Sequence, residues 1–302
     1  MLLDPNMTLS TFFTIASVDV TIFLMLTAIA WIGNSLIIIV TIRSKHLRSA
    51  CNILIALQAL SDIVMQISHF PYAYFAFSRT LVSFRTCYFI NFVFISALDF
   101  STLLMFFIAL DRFISAKFPH YYSKIRKSYY ISAVVGSCFV YVAIFKILLY
   151  TSLTDDLTLC LIAESMTGAM TNVWFGVSTV INLGVVGLYF GLTRMLRVSL
   201  AEYHRINRSL NTQILVYIFG WLCTMVARSP FSPVPSGLRY SDSSVILEFS
   251  HRVFTAIETT VGIFCNHSSF TSSGALSIAK NSIGSSGFAA LRFIPIPSYA
   301  KT

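Results

Sequence analysis

From Cys87 to Leu110 the chain is almost wholly apolar, broken by Asn91 and Asp99. A run of that length restricts the fold sharply. In hydrocarbon every backbone N–H and C=O must be satisfied within the segment, so the run predicts one membrane-crossing helix. Cys87 and Asp111 stand 24 residues apart, roughly 36 Å at about 1.5 Å per residue, or a hydrocarbon core of about 30 Å plus part of the headgroup layers. The helix therefore carries a thiol at one membrane face and Asp111-Arg112-Phe113 at the other, followed by Lys117-Phe118-Pro119. An element with two such ends is able to sense on one side and report on the other.

The rest of the chain has the same character. Its 302 residues are 56% hydrophobic, 15% aromatic and 11% charged, against about 25% charged in soluble proteins. An all-α, multi-pass membrane protein follows, with room for about seven spans, short loops and no large soluble module. The net charge of +9 would suit nucleic acid in a soluble chain. Here it is the excess of Lys and Arg that cytoplasmic loops collect, and no nucleic-acid partner is expected. Six widely spaced cysteines show no metal pattern and no small-scaffold disulfide framework.

Basic residues set the orientation. None precedes Arg43; Arg43, Lys45 and Arg48 follow a first span over about 20–42. A second span covers about 53–77, with Pro71 towards its outer end, and the third begins at Cys87. Arg112, Lys117, Lys124, Arg126 and Lys127 form a second inner loop before a fourth span over about 129–150. A fifth span covers about 172–192 and leads to Arg194, Arg197, Arg205 and Arg208. Twelve of the 21 basic residues thus fall in three inner loops, which predicts the N-terminus outside and the C-terminus inside. Residues 1–19 read as an extracellular start, without the positive n-region of a signal peptide and with a glycosylation sequon at Asn6. The seven-helix domain spans 20–270. Its last part, 228–270, is divergent: a short sixth span over about 212–227, a Ser- and Pro-rich outer loop, and a seventh span near 250–270 that holds several polar groups. Residues 271–302 read as a poorly ordered cytoplasmic tail.

Polar groups inside such spans are the candidates for function. Cys87 and Cys160 are the two cysteines on the outer, oxidising side; they form either a disulfide from the third helix to the following outer loop, or two unrelated thiols. Arg112 at an inner helix end obeys the charge rule, and Asp111 beside it is a local carboxylate partner. An Arg that exchanges that partner for another contact would bias a two-state bundle. Asp62 lies deep in the second span, with Asn34 and Asn266 as polar neighbours from the first and seventh, either as a switching network or as a buried hydrogen-bond knot. Counting back from Arg112 gives Met105, Leu98, Phe94 and Asn91 as the inward stripe of the third helix, with Asp99 on its flank. Asp99 either anchors a cationic ligand group or pairs with another helix; Lys146, in the fourth span, either snorkels to the interface or pairs with an acid. Trp221 is an aromatic near mid-membrane. The six histidines are scattered, and no H-E-x-x-H, G-x-S-x-G or P-loop occurs, so no enzyme, cofactor or metal site is expected.

Together these residues resemble a rhodopsin-like G-protein-coupled receptor, and within that group the nematode serpentine chemoreceptors of the srsx class. The resemblance rests on Gly33-Asn34, Leu57 to Asp62 with Pro71, Cys87, Asp111-Arg112-Phe113, Pro119, Tyr122, Tyr189 and Gly220-Trp221. It implies a switch built on Asp111, Arg112, Phe113, Pro119, Tyr122 and Tyr189. It also implies an outer pocket among the third, fifth, sixth and seventh helices, with Asn91, Phe94, Leu98, Asp99 and Trp221 as candidate lining. The implied partners are a small odorant-like or peptide ligand, a heterotrimeric G protein and the lipid bilayer; the implied location is the plasma membrane, of a sensory neuron for a chemoreceptor. The chain departs from the pattern in lacking the usual Trp of the fourth helix and Pro of the fifth. Asn266-His267-Ser268-Ser269-Phe270 stands where the family has Asn-Pro-x-x-Tyr. Two alternatives are a secondary transporter, which would need matching halves with broken helices, and a non-signalling seven-helix remnant.

Overall fold

The computed structural model describes residues 9–44, 48–162 and 168–196. Asn6, Trp221, Asn266, the expected sixth and seventh spans and the tail lie outside the described residues. Within them the order is α1 (Leu9–Arg43), α2 (Ala50–Gln66), α3 (His69–Ser78), β1 (Val82–Ser83), α4 (Phe84–Lys117), α5 (Pro119–Lys124), α6 (Lys127–Thr151), β2 (Leu157–Thr158) and α7 (Gly168–Leu196). Five helical stretches are long and apolar enough to cross a membrane: α1, α2 with α3, α4, α6 and α7.

These helices are apolar on both sides. Ile22, Met25, Ile29 and Ile32 are exposed along α1, and Val140, Ile144 and Ile147 along α6, at three- to four-residue steps. A surface of that kind is stable only in an apolar solvent. The 35 residues of α1 extend about 52 Å, well beyond a core of about 30 Å. It starts at Leu9 rather than near residue 20, because Phe12, Phe13, Ala16 and Val20 pack against Tyr72, Ala73 and Ala76 of α3. The expected extracellular start is therefore helical from residue 9 onward.

The second span is broken rather than continuous. Pro71 lacks an N–H, and its ring excludes the carbonyl four residues earlier from helical bonding. The Ile67 and Ser68 amides bond three residues back, to Val64 and Met65, at 3.2 and 3.1 Å, and α3 starts afresh at His69. Ser49 caps α2 and Ser83 caps α4, each side chain accepting from the amide three residues on.

α4 is the axis of the bundle, in contact with α2, α6, α7 and the short α5. Its buried residues include Asn91, Ile95, Leu98, Asp99, Ser101, Leu104, Ile108 and Asp111. The single inward stripe expected from Arg112 is too narrow: a helix enclosed by neighbours on several sides buries several faces. Asp99 is not on a flank but enclosed, 1% exposed, whereas Phe94 and Met105 are only partly buried.

Candidate functional site

Polar side chains in the described core fall into layers along α4. At the end that begins the helix, Cys87 and Cys160 form a disulfide, with Cα atoms 5.1 Å apart. The segment around Cys160 is held further by backbone pairing. β1 and β2 run antiparallel, Val82 opposite Thr158, and the Phe84 amide donates to Asp156 O at 2.9 Å. Asn91 Nδ2, one turn below Cys87, donates to Cys160 O at 3.3 Å and lies 3.3 and 3.4 Å from the two sulfurs. Asn91, a candidate pocket residue in the sequence, is fully buried, and its amide anchors the outer loop.

Two turns deeper, three helices meet at one carboxylate. Lys146 Nζ, from α6, donates to Asp99 Oδ2 at 2.9 Å, and Trp174 Nε1, from α7, donates to Asp99 Oδ1 at 2.7 Å. Tyr88 Oη donates to the Lys146 carbonyl at 3.0 Å, so α6 is bound to α4 twice. Lys146 therefore pairs with an acid rather than snorkelling. A buried ion pair persists when both charges are matched and the remaining lone pairs are satisfied, and the indole supplies the second donor. Trp174 was not singled out in the sequence; no spacing rule relates it to a residue 75 positions earlier on another helix.

Below that layer, Ser101 Oγ donates to Asp62 Oδ1 at 2.7 Å, and Gln58 Nε2 donates to the same Ser101 oxygen. Asn34 is buried, but its Nδ2 finds no hydrogen-bond acceptor. Asn34, expected as a polar neighbour of Asp62, does not donate to it; Ser101 of α4 brings a hydroxyl directly to the carboxylate.

At the opposite end of α4 the expected Asp111–Arg112 pair is absent. Tyr122 Oη, from α5, donates to Asp111 Oδ1 at 2.8 Å, while Arg112 Nη2 reaches Asn52 Oδ1 of α2 at 3.4 Å. Adjacent residues on a helix project about 100° apart and do not face each other, so each takes a different neighbour. Burial, reinforced by the bond to Asp111, raises the Tyr122 pKa, and its hydroxyl remains a donor. Pro119 occupies the first turn of α5, where its missing N–H is harmless and its φ suits a helix start. Phe113 turns to α7: with Phe106 it packs beside Tyr189, Val185 and Leu192. A Cβ added to Gly184 would lie 3.0 Å from the Phe106 ring, and one added to Gly191 would lie 3.1 Å from the Phe113 ring. Two rings seven residues apart on α4 thus occupy two notches seven residues apart on α7.

The family model described as "Serpentine type 7TM GPCR chemoreceptor Srsx" matches residues 27–269. The protein described as "Probable G-protein coupled receptor npr-8" of Caenorhabditis elegans is 32% identical over 104 residues, which make up 32% of this chain and 20% of that protein. The match thus spans about a fifth of that relative's length.

Proposed function

This chain belongs to the Srsx family of serpentine seven-transmembrane chemoreceptors, a receptor class rather than an enzyme class, and from that premise we propose that it transduces binding of an extracellular ligand to a heterotrimeric G protein at the plasma membrane. One observation carries the reading most. The 34-residue helix α4 is covalently tied to an outer loop through Cys87 and hydrogen-bonded to the following short helix through Asp111. A displacement of the outer loop or of the Asp99 layer is passed along one rigid element to Arg112, whose long contact to Asn52, 3.4 Å, is readily exchanged. The energy needed is small, since a coupling of about 1–3 kcal/mol already changes affinity between sites some 5- to 150-fold.

The proposed switch comprises Asp111, Arg112, Phe113, Pro119, Tyr122 and Tyr189. Of the proposed pocket residues, Leu98, Phe94 and Asp99 support an apolar, aromatic lining with one polar layer; a sensory neuron membrane is the expected setting. The test is a G-protein activation reporter in cells expressing the full chain, with Arg112→Ala beside it. Basal or ligand-evoked activation that disappears in Arg112→Ala supports the assignment. Activation indifferent to that change removes Arg112 from the switch, and no activation under any stimulus, with surface expression verified, removes the signalling function.

A further inference from the structure

The layer at Asp99 also says what kind of ligand end it accepts. Resting on the receptor reading above, we infer that the polar end of the ligand is an uncharged hydrogen-bonding group, a hydroxyl or a carbonyl, read by Ser178 and Tyr141 beside the Asp99–Lys146–Trp174 triad.

The charge argument comes first. Asp99 and Lys146 neutralise each other at 2.9 Å with side chains 1% and 6% exposed, and Trp174 occupies the other carboxylate oxygen. An incoming ammonium would have to evict Lys146, leaving that cation buried and uncompensated; an incoming carboxylate would do the same to Asp99. Breaking a buried pair by displacing one partner is strongly unfavourable. A neutral group disturbs neither charge.

The donor and acceptor for such a group are present and unspent. Ser178 is one turn beyond Trp174 on α7, so the two side chains share a face. It is 7% exposed, and its Oγ has no hydrogen-bond partner. That is a departure from the habit of this bundle. Ser96, Thr102, Ser137 and Thr179 each return their hydroxyl to the carbonyl four residues earlier, at 2.6 to 2.9 Å. Ser178 has the Trp174 carbonyl available in the same way and does not use it. On α6, the Tyr141 hydroxyl is likewise buried without a partner; its ring is tilted against that of Phe145, centroids 4.8 Å apart, beside Lys146 and in the cluster that holds Trp174 and Leu98. Burying hydroxyls unpaired is unfavourable, and a ligand hydroxyl or carbonyl relieves that penalty as it binds.

Three probes with one body and different heads test this: phenethyl alcohol, phenethylamine and phenylacetate. Each is titrated onto the full chain in lipid nanodiscs and binding is read by saturation-transfer NMR, which requires no G protein. Phenethyl alcohol is expected to bind at least about tenfold tighter than either charged probe, the difference that about 1.4 kcal/mol makes. Ser178→Ala and Tyr141→Phe, which remove an oxygen and otherwise keep side-chain shape, are each expected to weaken the alcohol about three- to tenfold, the range of one neutral hydrogen bond. Lys146→Met frees Asp99 and is expected to turn the preference towards phenethylamine. The inference is overturned if a charged probe equals or exceeds the alcohol on the unaltered chain, if the alcohol does not bind, or if both hydroxyl deletions leave its affinity unchanged. Neutral-probe binding by a chain that activates no G protein would leave this inference standing and sink the signalling function alone.

Discussion

Tyr122 donates its phenolic proton to Asp111 at 2.8 Å, so the short helix α5 is hydrogen-bonded to the end of α4 by the very carboxylate that precedes Arg112. Tyr122→Phe deletes that donor and nothing else. A hydrogen bond to a charged group is worth about 1.5–3 kcal/mol, less at a half-exposed site, so amide exchange across residues 119–124 is expected to accelerate about three- to tenfold while the core of α4 is unchanged. Exchange measured by mass spectrometry decides it; unchanged protection of α5 would mean the bond holds nothing in place.

The same contact has a pH signature. Burial, with the Asp111 bond second, raises the Tyr122 pKa above the usual phenol value. A raised pKa means the folded state holds the proton more tightly, so the stabilisation is complete below the unfolded value of about 10 and is lost as pH climbs through the folded pKa. Absorbance titration near 295 nm is expected to show Tyr122 ionising later than the exposed tyrosines, read as the part of the late-ionising signal that disappears in Tyr122→Phe.

Asp99 and Lys146 should behave as a unit. Asp99→Asn or Lys146→Met alone leaves one charge buried, and each is expected to destabilise by about 3–5 kcal/mol, whereas the double replacement costs much less than their sum. Thermal unfolding in detergent of the four proteins of the cycle measures the coupling. Additive losses would show that the two charges do not depend on each other.

Cys87–Cys160 and Asn91 form a second unit, at the outer end. Cys160→Ser removes the covalent tie, and Asn91→Ala removes the amide that bonds Cys160 O. Both changes are expected to raise protease nicking between residues 153 and 162, the cysteine change far more, with the helices intact. Equal resistance of Asn91→Ala and the unaltered chain would limit Asn91 to filling space.

The five described spans were legible because the bilayer sets their length, which does not depend on which residues touch. Pairing across helices was not legible. Asp99 and Lys146 are each recognisable as costly in hydrocarbon and Trp174 is not, and the meeting of all three depends on the rotation of three helices about their axes, which their nearly uniform apolarity does not encode. Adjacency in the chain misled at Asp111-Arg112, where helical geometry separates neighbours by about 100° and hands them to Tyr122 and Asn52. Pro71 was visible as a span residue, yet the break at Ile67 and Ser68 follows from its chemistry and could be anticipated from that alone.

The glycines of α7 are a further case where sequence identity conceals opposite roles. Gly184 and Gly191 face Phe106 and Phe113 at 3.0 and 3.1 Å from an added Cβ, whereas Gly176 and Gly187 face open space. Replacing Gly by Ala in a helix gains about 0.8–1 kcal/mol of propensity, and overpacking a filled contact costs about 1–3 kcal/mol. Gly176→Ala and Gly187→Ala are therefore expected to raise the melting temperature, and Gly184→Ala and Gly191→Ala to lower it or leave it level. Trimming the opposing ring should reverse the second pair: Gly184→Ala with Phe106→Leu, or Gly191→Ala with Phe113→Leu, is expected to be more stable than the sum of its single changes. Melting curves of the four alanine variants and the two doubles test this. If all four alanines shift stability alike, α7 does not interlock with α4, and Phe113 has no packing role in holding the fifth span against the third.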